Sequence, residues 1–219
     1  MKKTLLTLSI STLLMGPALA GNYEKIKKYE VTIQNITKGQ PLTPPVLVTH
    51  SGKVKLFSVG MESSKGLGYL ATDGQIEMLV NEINEGKAKN NIMVGEGVIL
   101  PGGKAKFTIE TKLRRPHFSI ASMLARTNDA FVGLSKMAVK LRKNQTYSTL
   151  LSVYDAGVEA NTESCAHIPA PPCGNAGVGT EDSEGFVRPH EGIAGNQDLL
   201  LSRDSFATKA AKLTIKRIK

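Results

Sequence analysis

The sequence lacks the short motifs by which many catalytic and metal-binding proteins are identified. Its four histidines form no H-E-x-x-H or H-x-H pair, so no zinc site is indicated. No G-x-S-x-G elbow is present, and no serine nucleophile stands out. His190 lies in a charged stretch, where a structural or solvated role is favoured over contact with a ligand. These absences favour a protein that is not an enzyme.

Aromatic residues and long apolar runs are also scarce. Tryptophan is absent, and five tyrosines with six phenylalanines give little support to a stacking platform for nucleic acid. After residue 20, no segment approaches the roughly 18 apolar residues of a transmembrane helix. We therefore expect no nucleic-acid partner and no transmembrane segment. The sequence leaves the oligomeric state open.

The first twenty residues have the organisation of a secretory signal peptide. Two lysines precede an apolar stretch from Leu5 to Leu14, and the segment ends in Ala18-Leu19-Ala20. This pattern predicts a signal peptide over residues 1–20 and a secreted protein, either periplasmic or extracellular. The length and composition of residues 21–219 predict one domain.

The chain has only two cysteines, Cys165 and Cys173. A secreted protein meets an oxidising environment, and no C-x-x-C redox motif is present. The two residues are therefore predicted to form a structural disulfide that closes a proline-rich loop.

The charge of the chain is positive, with 28 Lys+Arg against 19 Asp+Glu and a formal net charge of +9. Net charge bears on association and not on the fold. An anionic glycan, a glycolipid or a surface protein is the kind of partner that this balance favours.

Short alternating segments predict an all-β protein. Tyr29, Val31 and Ile33 share one side of a period-2 pattern, and Phe107 and Ile109 share one side of another. Glycine and proline separate these segments, as in an antiparallel β-sandwich. Residues 54–59 are predicted as a further strand, and residues 174–206 as mostly loop.

One short helix is predicted over residues 76–83, where Ile76, Leu79 and Ile83 recur at helical spacing. Asp73 is the predicted N-cap, and a glycine at 86 is the predicted stop. Residues 66–71 fit the G-x-G-x-x-A dinucleotide pattern. The alternating strands favour a glycine-containing turn there over a cofactor loop, because parallel Rossmann strands read as continuous apolar runs.

Acidic residues flank two of the predicted strands. Asp129 precedes one strand, whereas Asp155 and Glu159 follow another. If the two strands are antiparallel neighbours, these loops lie at the same end of the sheet and the carboxylates converge. Calcium prefers such hard oxygen ligands, so Ca²⁺ is the expected ion. Solvated acids without a metal are the alternative, and a secreted metal-dependent hydrolase that uses the same acids is the runner-up function.

Several stretches together resemble the spondin N-terminal domain family. The most specific are NDAFVGL at residues 128–134 and YDAG at residues 154–157. The resemblance extends over nearly the whole mature chain. It includes RPHEGI at residues 188–193 and weaker matches that begin at residue 29 and continue to the last strand.

This resemblance implies a β-sandwich similar to calcium-dependent membrane-binding domains, with calcium at one end. By motif, it assigns the ion to Asp129, Asp155 and Glu159. Animal members typically have aspartate at the position of Glu159 and tryptophan at that of Ala130, so the third ligand and any animal-type receptor contact depart from the family pattern. The implied function is a noncatalytic recognition or cell-adhesion module. A structural accessory domain without a metal is a third hypothesis.

Overall fold

The computed structural model describes residues 26–86, 88 and 90–219. The predicted signal peptide at residues 1–20 lies outside the described residues. The described strands are β1 (Lys27–Asn35), β2 (Val46–His50), β3 (Asn90–Val94), β4 (Lys104–Thr111), β5 (His117–Met123), β6 (Ala130–Ala138), β7 (Thr146–Asp155), β8 (Arg188–Pro189) and β9 (Lys209–Arg217). The described helices are α1 (Lys65–Asp73), α2 (Glu77–Glu85), α3 (Leu201–Asp204) and a 3₁₀ turn at Cys165–His167.

The strands form one antiparallel sheet that nearly closes on itself. Its order is β3-β2-β5-β6-β7-β9-β1-β4, and β8 pairs with the end of β7. The two edges approach each other, since the Asn91 side chain on β3 donates a hydrogen bond to the Glu110 carbonyl on β4. The predicted all-β, sandwich-like architecture is confirmed.

The inward side chains of the sheet form the main core. On β1, Tyr29, Val31 and Ile33 are almost fully buried, as their alternation predicts. Tyr29 meets Phe118 of β5 edge to face, with 5.3 Å between ring centroids. Such a pair adds to the burial of apolar surface that stabilises the two halves of the sandwich against each other.

A second core lies between the helices and the outer side of β2, β5 and β6. Val46 and Val48 of β2 pack there with Leu67 and Leu70 of α1 and with Phe131 of β6. Because both of its sides are covered, β2 is buried at all five positions. The opposite half of the sheet, made of β7, β9, β1 and β4, keeps alternating exposed residues on its outer side.

The helical region differs from the sequence prediction. The helix near residues 76–83 is confirmed as α2, but its N-cap is Ile76, which makes no side-chain cap bond. Asp73, the predicted cap, is instead the last residue of an additional helix, α1. The predicted turn at residues 66–71 was therefore wrong, because those residues lie within α1. The longest described helices have nine residues, and none of the described helices could cross a membrane.

Gly66 allows α1 and α2 to approach closely. A Cβ at this position would lie 2.5 Å from Leu79 Cα of α2, a distance that real Cβ contacts essentially never show. The Gly66 N–H donates to the Glu82 carboxylate at 2.7 Å, and the Ser64 hydroxyl donates to the same group at 2.6 Å. A side chain on α2 thus satisfies the amino-terminal end of α1.

Two further predictions concern irregular segments. Residues 54–59 form no strand, because Val54 and Leu56 instead pack against the helices in irregular conformation. Residues 174–206 are mostly loop, as predicted, apart from β8 and α3.

The helix contact makes a testable prediction at two glycines of α1. We expect Gly66→Ala to destabilise the protein by about 1–3 kcal/mol, because its methyl group overlaps the α2 backbone. Gly68→Ala is the matched control, since its Cβ would meet only the Val158 side chain at 3.5 Å. That variant should be neutral or more stable by up to about 1 kcal/mol, because alanine favours helix. Urea unfolding measures both, and equal stabilities would contradict the packing role.

Candidate metal centre

The pairing of β6 with β7 brings two buried aspartates to one end of the sheet. Ala130 of β6 lies opposite Asp155 of β7, and the Ala156 N–H donates to the Asp129 carbonyl at 3.2 Å. Both aspartates have zero exposed surface. The predicted antiparallel arrangement of these two strands is confirmed, and it places the side chains of Asp129 and Asp155 together.

A third carboxylate reaches the two aspartates from the loop before β8. One carboxylate oxygen from each of Asp129, Asp155 and Glu184 lies within 4.8 Å of the other two. We call these three side chains the carboxylate cluster. Glu159, the third residue of the sequence prediction, is not a member of this cluster. Its assignment as a metal ligand stays a prediction.

The two oxygens of Asp129 have different surroundings. Oδ2 accepts hydrogen bonds from the backbone N–H groups of Val158 and Glu159, at 2.8 and 3.1 Å. Oδ1 is buried and has no hydrogen-bond partner among the described residues. A buried acceptor without a donor is costly, so the arrangement leaves Oδ1 available to an additional group.

Asp155 is held by its own loop. Its Oδ1 accepts the Gly157 N–H at 2.7 Å, and its Oδ2 accepts the Asn161 amide at 2.6 Å. Gly157 has φ +69°, and a Cβ there would lie 2.3 Å from the Phe186 carbonyl oxygen. The glycine of the Asp-Ala-Gly motif is thus required both by the backbone conformation and by the close approach of the neighbouring loop.

His190 positions Asn161 and has no free nitrogen. Its Nδ1 accepts the Gly192 N–H at 2.9 Å, so Nε2 carries the proton and donates to Asn161 Oδ1 at 3.1 Å. Burial, aided by the charge of Arg188, lowers the pKa of His190 to about 4. The imidazole therefore stays neutral at physiological pH and fixes the amide that contacts Asp155.

Arg188 is the nearby cation of the carboxylate cluster. Its guanidinium lies 2.8 Å from Glu184 and 3.2 Å from Asp155, and the pairing of β8 with β7 sets Arg188 directly opposite Asp155. Glu184 Oε2 remains buried with no hydrogen-bond partner among the described residues. The guanidinium thus contacts two of the three carboxylates, and its single positive charge leaves the cluster with an excess of negative charge when all three are ionised.

Electrostatics at the carboxylate cluster disfavours full ionisation without a cation. Burial, followed by the neighbouring carboxylate of Asp155, raises the pKa of Asp129 to about 8. A bound cation would reverse this effect by favouring the ionised form. The site therefore has the donor chemistry that a hard divalent ion requires.

The other acids of the loop after β7 have separate surroundings. Glu159 is 6% exposed, and burial followed by the charge of Asp73 raises its pKa to about 7. The Glu163 carboxylate accepts the backbone N–H groups of three successive residues, Ala194, Gly195 and Asn196. Glu163 thereby fastens the loop after β8 to the loop after β7.

The disulfide between Cys165 and Cys173 is present, as predicted. It follows the acidic loop directly. The Cys165 N–H donates to the Asp198 carboxylate at 2.7 Å, and the Asn175 side chain donates to the Cys165 carbonyl at 2.6 Å. The cross-linked loop is therefore tied to the segment that Glu163 holds.

Comparison with protein-family models shows the family of this chain. The Spondin_N model, which describes the spondin N-terminal domain, matches residues 40–176. The chain belongs to the spondin N-terminal domain family. Domains of this kind are extracellular adhesion and recognition modules and are non-enzymatic in kind. Among curated proteins, none matches the chain.

Sequence reasoning missed Glu184 and its partner Arg188. Both lie in the region predicted as loop, and β8 has only two residues, so no periodicity marks it. The RPHEGI stretch was the available signal, because it begins at Arg188. Only the pairing of that stretch with the end of β7 shows that Glu184 reaches the aspartates.

The raised pKa of Asp129 predicts that stability falls with rising pH when metal is chelated. Between pH 7 and 9 the unfolded aspartate is ionised, whereas the folded one still releases its proton, so the folded state binds more protons. His190 is neutral in the folded state throughout this range, and in the unfolded state it is mostly neutral above its ordinary pKa of 6.5. In EDTA, the melting temperature of the wild type should therefore decrease more steeply than that of Asp129→Asn. Parallel decreases would contradict the prediction, and Asp182→Asn, at an exposed acid, is the control.

Proposed function

We propose that this protein is a secreted, calcium-binding recognition and adhesion module without catalytic activity. The ion would be held by Asp129 and Asp155 from the two paired strands and by Glu184 from the loop before β8. Calcium binding would order the loops at this end of the sandwich, and those loops would present the ligand surface.

The observation that carries this proposal is the convergence of three carboxylates around unpaired oxygens. Asp129 Oδ1 and Glu184 Oε2 are buried without hydrogen-bond partners among the described residues. An ion at the carboxylate cluster would supply the missing partner and offset the repulsion between carboxylates. The excess of negative charge over the single Arg188 guanidinium favours a divalent ion.

Calcium fits this donor set because every side-chain ligand is an oxygen. The carboxylates come from a strand start, a strand end and a loop, and such irregular oxygen sets suit the flexible coordination of Ca²⁺ better than the strict octahedron of Mg²⁺. His190 offers no ligand nitrogen, since both ring nitrogens are engaged. Backbone carbonyls and water would complete the coordination.

The same contacts favour binding over catalysis. A metal-dependent hydrolase needs a base that can accept a proton near the ion. His190, the histidine nearest to the carboxylate cluster in sequence, has its Nε2 proton committed to Asn161. The family is also non-enzymatic in kind, which supports a recognition role.

Secretion is supported by two features besides the predicted signal peptide. The disulfide between Cys165 and Cys173 requires an oxidising compartment to persist. Domains of this family are of an extracellular type. A periplasmic or extracellular location agrees with the disulfide and with the family.

Calcium should raise the melting temperature, because an ion that binds only the folded state stabilises it. At about 100 times Kd the gain is about 2.7 kcal/mol, or roughly 5–10 °C for a domain of this size. Differential scanning fluorimetry with calcium against EDTA measures the shift. Asp129→Asn and Asp155→Asn should remove most of it, and an unchanged melting temperature of the wild type would contradict calcium binding.

A second comparison of variants tests which residue is the third side-chain ligand of the calcium ion. Glu184→Gln should weaken calcium binding, whereas Glu159→Gln should leave it nearly unchanged if the carboxylate cluster holds the ion. Glu181→Gln, three residues before Glu184 and exposed, is the matched control for the loss of one charge in the same loop. Isothermal titration calorimetry measures all three. Weak binding by Glu159→Gln with normal binding by Glu184→Gln would restore the assignment made from the sequence.

A further inference from the structure

The outer side of β4, β1, β9 and β7 carries an unusual concentration of lysines. The strand registers place Lys104, Gln34, Lys212 and Leu150 side by side in one row across the four strands. Six lysines project from this side, and we call it the lysine face: Lys28, Lys104, Lys106, Lys209, Lys212 and Lys216. No described helix packs on it, in contrast to the other half of the sheet.

The charge of the lysine face is largely unneutralised. The same rows contain two acids, Glu30 and Glu110, and Glu110 is paired with Lys28 at 3.3 Å. Four of the lysines are exposed and make no ion pair within the described part of the chain: Lys104, Lys106, Lys212 and Lys216. Typical protein surfaces intersperse both signs of charge, so a face with six lysines and two glutamates favours an anionic partner.

The spacing of the charges is regular because a sheet sets it. Lys104 and Lys106 are two residues apart on one strand, about 6.8 Å, and Lys104 and Lys212 are two strand spacings apart, about 9.6 Å. Repeated cations at such intervals match a partner with repeated anionic groups. Thr32, Thr214 and Gln34 lie between the lysines and offer hydroxyl and amide groups for hydrogen bonds.

The side chains on this face favour a polysaccharide over other polyanions. The aromatic residues of these registers, Tyr29, Phe107 and Tyr147, all lie at inward positions, so bases of a nucleic acid would find no stacking partner on this face. Leu150, 46% exposed, is the sole large apolar side chain in these rows of the described strands. A bilayer would therefore find little apolar surface to bury.

We propose that the lysine face binds a linear anionic polysaccharide through its carboxylate groups. Lys104, Lys106, Lys212 and Lys216 contact the anionic groups, and the hydroxyl side chains between them contact sugar hydroxyls. This site is separate from the carboxylate cluster, which lies at the end of β7, and its binding does not require calcium. The recognition module thus carries a polysaccharide site of its own.

The test measures binding of the full chain to polygalacturonate, a linear polyuronate, in EDTA, with uncharged dextran as the comparison. EDTA keeps the carboxylate cluster out of the measurement, so this result does not depend on calcium binding. We expect binding to polygalacturonate but not to dextran, and weaker binding as salt increases. Failure to bind polygalacturonate, or equal binding to dextran, would overturn the proposal.

Matched variants separate a specific face from general positive charge. The quadruple variant K104Q/K106Q/K212Q/K216Q should weaken binding by about tenfold or more, because four exposed charge contacts are lost. The variant K38Q/K53Q/K65Q/K143Q removes the same charge from exposed positions elsewhere and should bind as the wild type does. Equal weakening in both variants would overturn the proposal, since net charge alone would then explain binding.

Two further measurements keep the outcome unambiguous. The pairs K104Q/K106Q and K212Q/K216Q should each weaken binding partially, and they serve if the quadruple variant fails to fold. Vesicles with 30% phosphatidylglycerol test the lipid alternative. Tighter binding to these vesicles than to polygalacturonate would overturn the polysaccharide assignment in favour of a membrane surface.

Discussion

The pairing of β6 with β7 is the constraint on which the candidate metal centre depends. The register that sets Ala130 opposite Asp155 also places Val132 opposite Val153, and both valines lie in the main core. A slip of one residue would turn these valines away from the core, so the apolar contacts fix the register strongly. Core packing thereby determines the separation of the Asp129 and Asp155 side chains.

Burying these acids has a cost that the surrounding loops reduce. Backbone N–H groups from the loop after β7 stabilise one oxygen of each aspartate, and Arg188 contributes one positive charge. Asn161, held by His190, completes the contacts of Asp155. The same hydrogen bonds that orient the carboxylates also order these loops. A change of charge at the carboxylate cluster would therefore alter the conformation of the loops after β7 and before β8.

The two halves of the sandwich have different outer sides, and the helices are the reason. Helices α1 and α2 cover β2, β5 and β6, and the close contact at Gly66 makes that layer compact. The strands of the other half have no such cover within the described residues, and their outward positions are mostly polar, with lysines in excess of glutamates. Strand β7 contributes to both candidate sites. Its last residue, Asp155, belongs to the carboxylate cluster, and its outward residues form one edge of the lysine face.

Elements with a local signal could be predicted from the sequence. Period-2 alternation identified β1 and β4, helical spacing identified α2, and the presence of only two cysteines identified the disulfide. Strand-end positions also predicted correctly that the side chains of Asp129 and Asp155 lie together at one end of the sheet. These features depend on residues close together in the chain, so pattern and chemistry suffice.

Features that depend on contacts between distant segments could not be predicted from the sequence and are visible only in the folded protein. Helix α1 contains two glycines and was predicted as a turn, yet packing against α2 and β2 stabilises it. Glu184 joins the carboxylate cluster because a two-residue strand pairs with β7, and lysines that are scattered in sequence share one side because four strands align them. Packing and strand register link residues that are far apart in the chain, so they leave no periodic pattern within any one segment.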